Sequence, residues 1–212
     1  PLHWGKNQKG MSAREEVDEQ TKIDAKIIWN ESRSQAIKHA RMLVDIGIHK
    51  QIVNRILEPY STITVICSAT EYQNFFEQRC HPDAQPEIKA LADAMRAEYD
   101  ASEPIELYKD EWHVPFIIDD PTIGLYSYSM TELTHSVEDI KKICVGRCAR
   151  VSYLNHDGKR NIQDDIKLHD RLLTSRPAHL SPFEHCAMAL GKSEKRANFT
   201  GFESYRYQVE RR

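Results

Sequence analysis

Apolar positions along the chain follow a helical period nearly throughout and a period of two over one short stretch. From Ala13 to Ile46 the spacing predicts a charge-rich helix, with Ile23, Ile27, Ala36, Ala40, Leu43 and Val44 as its buried positions. Gly47 follows where a helix C-cap belongs. His49 to Leu57 predicts a second, short helix stopped by Pro59. Tyr60 to Ala69 is β-rich, alternating Ile63, Val65 and Cys67 against Thr62, Thr64 and Ile66. Thr70 and Gln73 then form a capping box that opens a helix ending at Glu77 or Gln78. A further helix runs from Gln85 to Tyr99, with Pro86 in its first turn and Ile88, Leu91, Ala92 and Met95 facing inward.

The remainder is less regular. Residues 1–13 and 154–161 read as loops, and 101–135, rich in Pro, Tyr and Asp, as a long connection with one short helix. Ser136 caps a helix whose buried stripe is Ile140, Ile143, Cys144 and Cys148, and Asp164 to Leu173 is helical again. From Ala187 onward the pattern allows a strand and then a charged tail. The class is therefore α+β, helix-dominated around a small, mostly antiparallel sheet.

Composition narrows the function classes. With 40% hydrophobic and 29% charged residues the 212-residue chain is ordinary for a folded protein. A net charge of -3 and the lack of a dense Lys/Arg cluster argue against nucleic acid as a partner. No apolar run approaches the roughly 20 residues of a membrane helix, and no signal-peptide pattern opens the chain. The five scattered cysteines suit a reducing compartment, and Cys144 and Cys148, on one helical face, suit the core better than a metal. No metal site is expected. The eight glycines are isolated, so any nucleotide must be held by Arg, hydroxyls and helix N-termini rather than a glycine-rich loop. The opening residues, beginning at Pro1, have no start character, and a longer protein is expected upstream.

Three segments concentrate chemistry. Asn74 to Ile88 (NFFEQRCHPDAQPEI) sets Arg79, His81 and Asp83 in the turn between two helices, where Arg79 suits either dipole compensation or a ligand contact. His179-Leu180-Ser181-Pro182-Phe183-Glu184-His185 holds two histidines and a carboxylate, but the spacing does not fit one helical face and Pro182 interrupts it. Ser181 before Pro182 suits a helix N-cap, either as a structural turn or as a phosphate or cofactor contact. Gly146 to Tyr153 (GRCARVSY) alone is the basic end of a helix, and Arg55 in Asn54-Arg55-Ile56-Leu57-Glu58-Pro59 is equally plain.

Together, N-F-F-x-x-R-x-x-x-x-A-Q-P-E-I, A-R-V-S-Y and H-x-S-P-F-E-H resemble three signature blocks of the flavin-dependent thymidylate synthases, the ThyX family. The stretch from His49 to Ala94, with N-R-I-L-E-P and S-A-T-E-Y, is similar to that family's substrate-binding region. The block order is the reverse of the common one and resembles the permuted, phage-type form. The family's Arg-His-Arg block is absent from these residues. The resemblance implies a ThyX-like fold and a single catalytic domain over 1–212, with a substrate-binding half at 1–100, a connection at 101–135 and a second half at 136–212. It implies conversion of dUMP to dTMP, with methylene-tetrahydrofolate as carbon donor, FAD as cofactor and NADPH as reductant. By position, Arg79 matches the arginine that stabilises charge on the pyrimidine and, with Arg55, holds dUMP. Asn74 and Ser181 match flavin contacts, and Ser68, Thr70, Ser152, His179 and Glu184 fall at or beside flavin-site positions. A homotetramer in the cytoplasm of a bacterial cell or phage-infected host is implied, with no nucleic acid or membrane partner. The alternatives are a non-catalytic flavin- or nucleotide-binding relative or fragment, and a helical assembly protein without flavin.

Overall fold

Asp18 fixes where the long N-terminal helix begins. Its carboxylate accepts from the Thr21 backbone N–H at 2.9 Å and from the Thr21 hydroxyl at 2.7 Å, and α1 then runs Glu19–Asp45. The computed structural model describes residues 1–9, 13, 15–117, 123, 135–151 and 161–211. They form two units: Pro1–Ile63 with Tyr72–Ser102, and Thr64–Glu71 with Glu103–Arg212.

In the first unit, α1 starts later than the helical spacing predicts because the preceding residues pair instead. Lys6 donates to the Glu15 carbonyl at 2.7 Å and Val17 to the Trp4 carbonyl at 2.9 Å. This pairing sets Trp4 edge-on to Trp29, which in turn meets Tyr60. At the far end Gly47 takes φ +84°, and Gly47 and Ile48 donate to the carbonyls of Val44 and Leu43, closing the helix as expected. The expected buried positions fare worse. Ala40 is buried and Ala36 and Leu43 are half-buried, but Ile23, Ile27 and Val44 are exposed. The expected positions span two faces of the helix, and this unit covers the one that carries Ala36, Ala40 and Leu43. After α1 come α2 (Lys50–Val53) and two tight 3-10 turns, Asn54–Ile56 and Glu58–Tyr60, the second containing Pro59. Helix α3 (Gln73–Arg79) packs on α4 (Pro86–Ala101) around Phe76, Tyr99 and Ala92. Leu91, expected inward, is exposed, while Ile88 and Met95 are half-buried.

Two local expectations are corrected between these elements. Residues 61–69 are extended but form no ladder with the described residues. The capping box at Thr70 does not form either: Tyr72 occupies the N-cap of α3 without a side-chain bond, and the Thr70 hydroxyl accepts from the Thr200 N–H at 3.1 Å. The longer-range acceptor geometry displaced the local cap.

The second unit is built on α5 (Val137–Arg150) and α6 (Ile162–Thr174), capped by Ser136 and Asn161. Ile140, Ile143, Cys144 and Cys148 line the core as the stripe predicts. Burial and the adjoining thiols of Cys148 and Cys186 push the Cys144 thiol well above its usual range, so it stays protonated. Gly146 lets the helices approach: a Cβ there would lie 2.5 Å from the Asp165 carbonyl oxygen. The approach sets buried Asp165 between Arg147 (3.3 Å) and Arg150 (2.8 Å), and Arg147 also donates to the Phe116 carbonyl at 2.6 Å. Against this pair lies an antiparallel sheet of β1 (Trp112–His113) and β2 (Ala187–Ala189). The chain returns through a hairpin of β3 (Lys195–Arg196) and β4 (Phe199–Thr200) before β5 (Phe202–Ser204) completes the sheet in the order β1-β2-β5. The C-terminal part is thus folded rather than a charged tail. Gly201, at φ +77°, turns β4 into β5, and Ser204 caps α7 (Tyr205–Glu210). Tyr205 anchors that helix against Trp112, His169 and Phe183, and buried Lys141 sits 4.6 Å from the Trp112 ring and 4.9 Å from that of Tyr205.

Candidate functional site

In the second unit, the extended segment Thr64–Glu71 alternates faces, with Ile66, Ser68 and Thr70 turned inward. Ile66 packs on the core, Thr70 is held by Thr200, and between them Ser68 Oγ lies 3.0 Å from His185 Nδ1. The other wall is the 3-10 turn Ser181–His185. Its Phe183 is fully buried between His169 (4.9 Å) and Tyr205 (5.4 Å), and this anchor leaves Glu184 and His185 at the edge of a cleft. Asn198, Ser204, Arg206 and Tyr207 also line that cleft, which has a volume of about 250 Å³.

The electrostatics follow from this packing. Burial holds His185 below the ordinary imidazole range, with the Glu184 carboxylate opposing. His113 reaches the surface on β1, yet crowding by neighbouring atoms lowers it too, with the charge of His185 adding to the effect. Both rings are therefore neutral at neutral pH. Neutral His185 has one donor and one acceptor nitrogen, so its Nδ1 shares a single hydrogen bond with the Ser68 hydroxyl. Glu184 and Glu210 both bind Arg206, and the Glu210 hydrogen bond raises the guanidinium further above its usual value. Hydroxyl, imidazole, amide and guanidinium groups converge here on a small polar cleft. Such a set suits the hydroxyl or phosphate groups of a small molecule.

Of the residues nominated from the sequence, Ser68 and Glu184 line this cleft, and Thr70 is tied to the strand beside it. Ser181 is the first residue of its turn rather than a cap, makes no side-chain cap bond and is exposed. His179 is exposed, and its N–H donates to the Leu172 carbonyl at 3.0 Å, tying the turn to α6. Ser152 lies outside the described residues. In the first unit, Asn74 Oδ1 accepts from Gln78 at 2.9 Å on α3, and Arg79 ends that helix. Arg79 and Arg55 are both exposed, and neither has an ion-pair partner among the described residues. Next to Arg79, desolvation and then the Asp93 carboxylate raise the Cys80 thiol, which disfavours the thiolate. Sequence reasoning missed His113, His185, Asn198 and Arg206. His185 stood within a quoted block, but the other three depend on strand pairings that no local period shows.

Among the described residues no cluster of His, Cys, Asp and Glu could hold a metal ion, and no helix is long and apolar enough to cross a membrane. Fold and cleft together define a helix-dominated α+β protein with a small polar cleft in its second unit. Residues 6–105, just under half of the chain, match the family of the thymidylate synthase complementing protein, which supports a protein of the ThyX type. No curated protein and no solved structure matches the chain.

Proposed function

We propose that this chain forms the catalytic domain of a flavin-dependent thymidylate synthase that makes dTMP from dUMP. The family match over residues 6–105 carries the reading, because Arg55, Ser68, Thr70, Asn74 and Arg79 all fall within it. Arg79 and Arg55 hold dUMP: both guanidiniums are exposed and have no ion-pair partner among the described residues, which suits an anionic substrate. The reaction needs uracil C5 to become nucleophilic, so negative charge builds on the pyrimidine ring. Arg79, fixed at the end of α3, stabilises that charge without reorganising, a contribution of about 3 kcal/mol by analogy with an oxyanion donor.

FAD fits the second unit in part. The cleft beside Ser68, Glu184 and His185 is just below the roughly 300–1,000 Å³ of typical ligand sites, room for a portion of a dinucleotide. Ser68, Thr70 and Glu184, with Ser152, His179 and Ser181, would hold it. Bound and reduced by NADPH, it supplies the hydride, while methylene-tetrahydrofolate supplies the carbon. The chain acts as a homotetramer in the cytoplasm of a bacterial cell or phage-infected host.

The test is flavin absorbance of the purified full-length protein followed by dUMP-dependent oxidation of NADPH. In the Arg79→Ala variant kcat should fall by ~100-fold or more while flavin stays bound. Full turnover in that variant removes Arg79 from the chemistry, and a protein that retains no flavin and oxidises no NADPH overturns the assignment.

A further inference from the structure

The charged groups that line the cleft of the second unit are two carboxylates, Glu184 and Glu210, and one guanidinium, Arg206. Arg206 donates through Nη1 to Glu184 Oε1 at 2.5 Å and through Nε to Glu210 Oε1 at 2.8 Å. The glutamates come from separate elements, the Ser181–His185 turn and the end of α7, and the guanidinium braces one against the other. Each carboxylate keeps its second oxygen, Oε2, without a hydrogen-bond partner among the described residues. Both side chains are partly exposed, which leaves these oxygens open to a ligand.

The chemistry of that ligand follows from elimination. With His185 neutral, the lining side chains carry one negative charge in excess, so a phosphate entering here meets like charge. A cation fares no better, because Arg206 already holds the place between the two carboxylates, and no metal-holding cluster exists among the described residues. An ionised carboxylate only accepts hydrogen bonds, so the fitting partner is a neutral donor. A carboxylate that receives sugar hydroxyls is the arrangement found in dinucleotide sites. The rest of the lining agrees: the Ser68 hydroxyl and the Asn198 amide add polar contacts, and half-buried Tyr207 offers a ring face to the C–H groups of a sugar. At about 250 Å³ the cleft has room for a sugar-sized group and not for a whole dinucleotide.

We propose that Glu184 and Glu210, braced by Arg206, form a subsite for the hydroxyls of a neutral pentose-like group and turn phosphate away. Within the flavin reading, on which this assignment builds, those hydroxyls belong to the ribityl chain or to the adenosine ribose.

Equilibrium binding to the purified full-length protein tests the subsite with two matched pairs of probes. Adenosine is set against 2′,3′-dideoxyadenosine, and riboflavin against lumiflavin, which lacks the ribityl chain. In at least one pair the hydroxyl-bearing member should bind ~10-fold or more tighter than its mate, and the pair that discriminates tells ribose from ribityl. Glu210→Gln should cut that preference to ~3-fold or less while the circular dichroism spectrum stays unchanged. Inorganic pyrophosphate should displace the hydroxyl-bearing probe poorly from the unaltered protein. Pairs whose members bind alike, no binding of any probe at millimolar concentration, a preference that survives Glu210→Gln, or efficient displacement by pyrophosphate each overturn the subsite, even where FAD is retained. A discriminating adenosine pair in a protein that binds no FAD keeps the subsite and removes the flavin reading.

Discussion

Substituting Gly146 by Ala sets a small helix-propensity gain against a backbone collision, and the structure decides between them. Ala is favoured over Gly inside a helix by ~1 kcal/mol. The new Cβ, however, would stand 2.5 Å from the Asp165 carbonyl oxygen and 2.8 Å from both its Cα and Cβ. Two of those three atoms are backbone, so no rotamer change relieves the contact. Restoring ordinary separation, near ~3.5 Å, requires α5 and α6 to part by about 1 Å. Overpacking of this kind costs ~1–3 kcal/mol, and here it falls on a loaded contact. The same displacement lengthens the bonds from Arg147 and Arg150 to the buried Asp165 carboxylate, each worth ~1.5–3 kcal/mol when well formed. Set against the propensity gain, the net expectation is destabilisation of about 3 kcal/mol, or a fall in Tm of ~6–12 °C for a chain of this size. Thermal and urea unfolding followed by circular dichroism measure it. A Gly146→Ala protein with an unchanged or higher Tm would show that α5 and α6 separate freely, and the account of the second unit's core would fail.

Gly47→Ala provides the contrast, because a Cβ there meets nothing within 4 Å but the backbone holds φ +84°. Its cost should come from backbone strain alone, about 1 kcal/mol, with Gly47→Asn costing less, both read from urea unfolding midpoints. His113, His169 and His185 all titrate below the ordinary imidazole value of 6.5, burial being the leading cause for each. The folded state thus prefers the neutral rings, so their contribution is fully present above that value and is lost as pH falls through the lowered folded values. Tm should therefore drop on acidification from about pH 7 to 5, and His185→Gln should make the slope shallower. A slope equal to that of the unaltered protein would remove His185 from the acid sensitivity.

The helices were legible in the sequence wherever a cap, a period and a stop coincide. Ser136 with the stripe Ile140, Ile143, Cys144 and Cys148 gave α5, and Pro86 gave the start of α4. The face a helix buries was less legible. Helix α1 is apolar on more than one side, and spacing alone cannot say which side its own unit covers. The C-terminal elements escaped for a related reason. Strands of two or three residues hold no measurable period, and what makes them strands is the pairing of β2 with β1, about 75 residues earlier, and of the others with β2 or one another.

Residues 60–69 show where local reading ends for the site itself. The alternation was correctly seen, and the structure keeps it, but in the opposite phase: Ile66, Ser68 and Thr70 turn inward while Val65 and Cys67 face out. Burying two hydroxyls in place of two apolar side chains is unfavourable unless each hydroxyl finds a partner. Ser68 finds His185, 117 residues away, and Thr70 finds the Thr200 N–H, 130 residues away. Those partners make the polar face the inner one, and neither can be inferred from the ten residues that carry the pattern. An inward Ser and Thr within an apolar alternation therefore imply a polar surface waiting to receive them. In this chain that surface is formed by the turn that carries His185 and by the strand that begins at Phe199, both at the cleft.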